Sequence, residues 1–389
     1  MFASLLAPFR SRPAPPEAKA SRTAALVALL STGQARWSPR DYASLAREGF
    51  ARNAIAYRAV RMIGETAATV PLVLMEGGRE HDTHPMLDLL ARPNPRLAGG
   101  ALMEGLASHL LVAGNAYVEA VAVEGQVREL HILRPDRMRV VPGPDGWPQA
   151  HDYTLDGRTL RIPQASLVEG ADVPPVLHLT AFNPLDDHYG FAPLEAAAQA
   201  LDLHNAASAW NKALIDNAAR PSGALVYGGA GSLTEEQFER LKGELEASFQ
   251  GAANAGRPLL LEGGLDWRPL SLSPKDMDFE AARNGAAREI ALAVGVPPML
   301  LGIPGDNTYA NYAEANRALW RQSVVPLVRR IAEGLSTWLA PAYGPAPLHL
   351  VPDLDQVEAL APERTELWSR IATADFLTDT EKRAAVGYG

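Results

Sequence analysis

The chain has 389 residues, of which 47% are hydrophobic and 21% charged. That balance buries a core, in two or three domains or one multi-part subunit. A formal charge of −9 argues against a general nucleic-acid binder, which needs a basic surface for phosphates, but does not exclude a protein that DNA passes without sticking. The absence of cysteine excludes disulfides and thiolate metal centres and fits a reducing compartment. No apolar run reaches the ~20 residues of a membrane span.

Residues 1–36, with one acidic residue, several arginines and a Pro-Ala cluster, read as a flexible basic arm. "SPRD" opens the first helix, with Ser38 as N-cap, Pro39 at the first helical position and Asp41 in the first turn. This helix runs to about Ala67, with a break signalled near Gly49. "TVPLVLMEGGRE" is a strand reversing at Gly77-Gly78, "HPMLDLLARPNP" a short helix, and "GALMEGLASHLLVAGN" a longer helix ended by Gly114. From Ala116 to about Phe182 the pattern changes to short strands of a compact antiparallel region.

An Ala-rich helix spans about Pro193 to Ala218, its small residues allowing close approach of a neighbour. Residues 221–272 read as a small β-α-β-β unit: the strand "GALVYGG", a charged helix opened by the capping box Thr234 to Gln237, and a hairpin turning at Gly263-Gly264. "SPKD", with Ser273 as cap, starts a helix to about Val294. Another runs from about Asn311 to Trp338, burying Tyr312, Leu319, Val324, Leu327, Ile331, Leu335 and Trp338 and kinked by Pro326. The C-terminal segment is a strand, "PLHLVP", and two short helices, the last capped by Thr378 with Glu381.

No GxxxxGK[ST], HExxH or GxSxG motif occurs. His81, Asp82 and His84 read as a solvated turn before a helix rather than a metal site. Asp186, Asp187 and His188 read as a polar loop, with acid-base or metal chemistry as the rival. No catalytic residue, metal or cofactor is expected.

The order of the stretches "NAIAYRAVRMIGETAATVPLVL", "HPMLDLLARPNP", "LLVAGNAYVE", "RPDRMRVV", "GFAPLEAA", "ARPSGALV", "LEGGLDWRPLSLSPKDMDF", "REIALAVGVPPMLLG" and "LTDTEKRAAVG" resembles the portal proteins of tailed bacteriophages, of the long-tailed type, and of phage-like gene transfer agents. The resemblance covers most of the chain from about residue 50. It implies an α+β, elongated subunit: an N-terminal arm (1–36), a mixed α/β wing (37–190), a stem helix (191–220), a small α/β clip (221–272), a second stem helix (273–295), a tunnel loop (296–311), a kinked helix returning to the wing (312–345) and a short helical crown (346–389).

It also implies a ring, usually of twelve subunits, at one capsid vertex of a virion or phage-like particle assembled in the bacterial host cytoplasm, with no membrane. Double-stranded DNA passes transiently through such a ring. Its partners are the major capsid protein, the large terminase (the packaging ATPase) and head-completion or adaptor proteins.

On this reading Ile303, Pro304, Gly305, Asp306, Asn307, Thr308, Tyr309, Ala310 and Asn311 line the channel. No Lys or Arg lies between Val296 and Tyr312, so the loop touches a duplex without the lasting phosphate contacts of a DNA binder. Lumen cations are expected from Lys275, Arg283, Arg317 or Arg321, with salt bridges between subunits as the competing role. Glu235, Glu236, Glu239 and Arg240 are the clip residues offered to a partner. The rival functions are a soluble hydrolase using Asp186, Asp187 and His188, or another capsid or adaptor component.

Overall fold

The computed structural model describes residues 37–164, 168, 172–216, 223–227, 234, 236, 239–240, 265–269, 279–305 and 309–387. The N-terminal arm, the Gly263-Gly264 turn, most of the capping box after Thr234 and the start of the "SPKD" helix lie outside them. Ser38–Gly389 packs as one unit.

The first helix is built differently from its sequence signal. Asp41, not Ser38, is the N-cap of α1 (Tyr42–Ser44), accepting from the Ser44 N–H at 2.9 Å. Ser38 is engaged elsewhere: its N–H and Oγ donate to the two Asp202 carboxylate oxygens at 2.7 and 2.6 Å. The chain continues through a π-helical turn, Leu45–Ala51, and breaks at Asn53 rather than Gly49. Asn53 wins because its Oδ1 caps the next helix, α2 (Ala54–Ala68), accepting from Ile55 and Ala56 N–H at 3.1 Å each. Ala56, Ala59, Val60, Ile63 and Ala67 recur at helical spacing and are buried.

β1 (Leu72–Glu76) and β2 (Arg79–His81) turn at Gly77 and Gly78, whose φ of 55° and 90° suit glycine. α3 (Pro85–Ala91) and α4 (Gly99–Ala113) follow, α4 ending at Gly114 with φ 69°. α4 crosses α2 closely at Gly64, where an added Cβ would lie 2.9 Å from Ser108 Oγ.

β3 (Asn115–Val123) pairs with β4 (Gln126–Leu133) on one side and, after an antiparallel sheet of β5 (Met138–Pro142), β6 (Pro148–Leu155) and β7 (Arg158–Pro163), with β8 (Val176–Thr180) on the other. All these pairings are antiparallel, as the alternation predicts.

The Ala-rich helix divides at Ala197 into α5 (Pro193–Ala196) and α6 (Ala198–Asp216). β9 (Gly223–Tyr227) pairs antiparallel with β10 (Leu265–Pro269), across forty-odd residues of sequence. α7 (Phe279–Val294) packs along α6. Ala200, Ala207, Ala286 and Ala287 on these helices are buried, and Trp210 of α6 stacks on Phe279 of α7 with ring centroids 4.2 Å apart.

α8 (Tyr309–Leu319) leads through a π-helical turn, Trp320–Val324, into α9 (Val325–Leu339). Pro326, near the start of α9, is therefore met by a wider turn that leaves the helical path unbroken. The buried stripe starts at Leu319; Tyr312, expected to be buried, is exposed. Fully buried Ile63, Leu106 and Leu335 each contribute on the order of 2 kcal/mol by leaving water.

β11 (Leu348–Pro352) pairs antiparallel with β1 in the order β11-β1-β2, so this strand of the C-terminal segment completes a sheet begun almost three hundred residues earlier. Ser336 joins α9 to it, its Oγ accepting from Leu350 N–H at 2.6 Å. α10 (Ala361–Ala372) and α11 (Asp379–Ala385) end the chain, and α11 has the expected Thr378–Glu381 capping box.

Candidate functional site

The loop after α7 is a turn anchored at its base. Gly295 (φ 84°) ends the helix, its carbonyl accepting from Ser323 Oγ at 2.5 Å. Pro298–Leu301 make one 3₁₀ turn, closed by Gly302 in the left-handed region at φ 71°. Ile303 is only 4% exposed and packs with Ala287, Ala291, Ile55 and Leu301.

Ile303 is thus an anchor within its own chain, and the expectation that its side chain lines a channel is corrected. An isoleucine beside two alanines of α7 buries its methyls there first. Pro304 and Gly305 are exposed. The Pro304 carbonyl accepts a hydrogen bond from the Arg288 guanidinium of α7. Asp306, Asn307 and Thr308 lie outside the described residues; Tyr309 and Ala310 begin α8, and Asn311 is exposed on it.

The four expected lumen cations divide. Arg317 pairs with Glu314 one turn away, and Arg321 reaches Glu314 at 3.7 Å and Glu363 of α10 at 3.3 Å. Both arginines are therefore in ion pairs inside the subunit, a third role beside the two expected. Solvent-facing pairs of this kind contribute about 0–1 kcal/mol, so they place charge more than they stabilise. Arg283 is exposed on α7. After burial, its charge is the second cause holding the His204 imidazole below its ordinary pKa. Lys275 lies outside the described residues.

The two histidine motifs are structural caps and turns. His84 Nδ1 accepts from Met86 N–H at 3.1 Å and is the N-cap of α3. His81 Nε2 lies 2.7 Å from Glu76 Oε2. Asp186 Oδ1 accepts from the backbone N–H groups of His188 and Tyr189 at 2.7 and 2.9 Å, which commits this carboxylate to a turn. Among the described residues no group of three or more His, Asp or Glu side chains is arranged to hold a metal.

Sequence reasoning missed a buried polar cluster between the two antiparallel sheets. His178 stacks on Tyr117 at 4.1 Å, with His151 edge-on at 5.7 Å. Asn115 Oδ1 sits 2.9 Å from His178 Nε2 and accepts from Gly190 N–H at 2.9 Å. His151 is 2% exposed, and neither of its ring nitrogens makes a hydrogen bond of good geometry among the described residues, although the neighbouring Gln164 side chain works against the lowering of its pKa. Burial pushes the His178 pKa down to about 3, with the charges of His151 and His188 adding to it, and burial lowers His151 too. The only sequence signal was three histidines scattered over strands and a loop.

Of the four clip residues, Glu236, Glu239 and Arg240 are helical and exposed, and Glu235 lies outside the described residues. No described helix is long and apolar enough to cross a membrane.

Residues 54–387 match the phage portal protein family. A protein of Rickettsia bellii (strain RML369-C) is 42% identical over 87% of this chain and 88% of its own length. The probable portal protein of Streptomyces phage phiC31 is 29% identical over 85% of this chain and 73% of its own. Among solved structures, a chain of the neck of an empty gene transfer agent particle, computed with C6 symmetry, is 53% identical over 93% of this chain and 98% of that one, with a TM-score of 0.72. Its counterpart in the native particle, computed with C12 symmetry, is also 53% identical, over 95% and 99%, with a TM-score of 0.69.

Proposed function

The chain belongs to the phage portal protein family, and from that membership we propose that it forms the ring-shaped channel at one capsid vertex of a phage-like particle. Double-stranded DNA is driven in through that channel by the packaging ATPase and later leaves toward the tail. The observation that carries this is collinear similarity over nearly the whole chain to neck subunits of gene transfer agent particles with cyclic symmetry. It also favours a gene transfer agent over an infectious phage as the particle.

In this proposal residues 37–190 are the wing, 191–220 and 273–295 the paired stem helices, 221–272 the clip, 296–311 the tunnel loop, 312–345 the helix returning to the wing and 346–389 the crown. The close packing of α6 and α7 supports the paired stem, and the placement of β11 beside β1 ties the start of the crown to the wing.

The tunnel loop works as a collar without cations. Anchored by Ile303 and Arg288, it offers Pro304 and Gly305 and the polar residues after them to a duplex. With no cation in the loop sequence, Arg317 and Arg321 held by carboxylates and the neighbouring Arg288 engaged by the Pro304 carbonyl, lasting phosphate contacts are disfavoured there. The other assignments are the large terminase and then head-completion proteins on the clip, the major capsid protein around the ring, and about twelve subunits. The portal family is structural, and Asp186 Oδ1 is engaged by two backbone N–H groups of its own turn, which supports a structural reading of the Asp186, Asp187 and His188 loop.

The test is particle production in cells lacking this chain. The proposal requires empty capsids, with DNA-filled particles restored by supplying the chain in trans. DNA-filled particles in its absence would refute it.

A further inference from the structure

The loop between β8 and α5 presents two large apolar side chains to water, and its own polar groups hold it in that shape. Phe182 is 82% exposed and Leu185 87%. Asn183 Nδ2 donates to the Tyr189 carbonyl at 2.7 Å while its Oδ1 accepts from Leu185 N–H at 3.0 Å. Asp186 caps the two N–H groups that follow. The loop ends are fixed as well: Ala181 N–H donates to the Gly114 carbonyl at 2.8 Å, and Gly190 N–H donates to Asn115 Oδ1. Every Asn and Asp bond named here serves the loop's backbone, so the apolar pair is displayed on a preformed turn. Such a surface loses little conformational entropy on docking, and burying each side chain is worth roughly 1.5–3 kcal/mol.

An apolar hollow lies elsewhere on the chain. A cavity of about 430 Å³ is lined by Val70, Pro71, Leu72, Leu87, Leu90 and Met103 among others, with no charged residue in its wall. It sits at the start of α4, where Gly99, Gly100 and Met103 contribute, whereas the end of α4 abuts the displayed loop through Gly114 and Gly190. Fifteen residues of helix at 1.5 Å each separate the two by about 22 Å, so a subunit cannot fill its own hollow with its own loop. Knob and hollow are different surfaces of one chain, and a closed ring with more than two members needs such a non-identical, complementary pair on every subunit.

We propose that Phe182 and Leu185 dock into the hollow at the start of α4 in the adjacent copy of this chain. This rests on the ring reading above and names the surfaces that join the ring.

The chain has no cysteine, which makes disulfide mapping clean. The experiment compares rings of wild type, Phe182→Cys, Thr69→Cys and the double variant under mild oxidation, by denaturing gel and electron microscopy. Thr69 is exposed on the rim of the hollow. The expected result is a ladder of covalent multimers for the double variant alone. In parallel, Phe182→Asp with Leu185→Asp should raise the concentration needed for ring formation at least tenfold while the far-UV circular dichroism is unchanged.

Intact rings that give no ladder and tolerate both aspartates would overturn the proposal. So would a Thr69→Cys thiol that is protected from thiol reagents until residues 1–36 are deleted, because the hollow would then hold the chain's own arm. Absence of rings from the wild type would instead refute the ring reading, and this inference with it.

Discussion

The Arg288 guanidinium donates to the Pro304 carbonyl, tying the turn after Gly302 back to α7 six residues before that helix ends. The two residues fix the exposed tip of the loop relative to the helix that carries it. An added Cβ on Gly305 would stand 2.8 Å from Arg288 Nη2, so the guanidinium closes over a residue with no side chain.

Arg288→Ala should therefore loosen the tip without unfolding the chain. The lost charge-assisted bond is worth about 1 kcal/mol at an exposed site. Amide exchange at Gly302 and Ile303, whose N–H groups donate to Met299 and Pro298 carbonyls, should speed up roughly fivefold, with the thermal midpoint nearly unchanged. Unchanged exchange would show that Ile303 alone holds the loop.

Asn53 should be among the most sensitive polar positions. It is 1% exposed, caps α2, and its Nδ2 contacts His204 Nδ1 at 3.1 Å and donates to Asn205 Oδ1 at 3.0 Å, while Asn205 Nδ2 donates to the Glu48 carbonyl at 2.8 Å. Asn53→Ala removes the cap and strands buried partners, for a combined loss of about 2–4 kcal/mol. Urea unfolding should show it, and a loss below about 1 kcal/mol would mean that water replaces the amide.

Two glycines separate backbone from side-chain crowding. A Cβ on Gly190 would lie 2.0 Å from the Gly114 carbonyl oxygen, whereas one on Gly334 would lie 2.2 Å from Leu179 Cδ2, the tip of a rotatable side chain. Gly190→Ala should give insoluble protein, and Gly334→Ala a soluble one that loses about 1–3 kcal/mol. Equal behaviour of the two variants would contradict the contact at Gly114.

The buried histidines set an acid limit. His178 at about 3 and His109 at about 4 bind protons less readily folded than unfolded, where histidine titrates near 6.5. Unfolding takes up protons below that value, so their contribution to stability is full above about pH 6.5 and falls as pH drops toward 3. His151→Phe removes a buried imidazole whose ring nitrogens make no well-formed hydrogen bond and should flatten the fall below pH 6.5. A steeper fall would mean that His151 is protonated and partnered in the folded chain.

The helices, the antiparallel region and the family were legible in the sequence because their signals are local or collinear: Gly114 after a helical run, Gly77-Gly78 between strands, Thr378 with Glu381. What failed depended on distant partners. Ser38 reads as a cap until Asp202, 164 residues on, claims it. Tyr312 fits the apolar period, yet the buried stripe begins only at Leu319, just before the π turn. Arg288 was one of two arginines on α7, and nothing in the sequence showed that it reaches Pro304. Arg321, in the π turn, reads as a lumen or interface charge because Glu363, on a helix far along the chain, is invisible from it, whereas the Glu314 partner of Arg317 lies only three residues away.

The central claim is the ring, and electron microscopy of the purified protein with its mass in solution tests it most directly. The account predicts a ring with an axial hole, a mass near twelve times 41.7 kDa, and the turn of the 296–311 loop at the narrowest point of the hole. A compact dimer without a hole, or a ring with that turn on its outer surface, would contradict it.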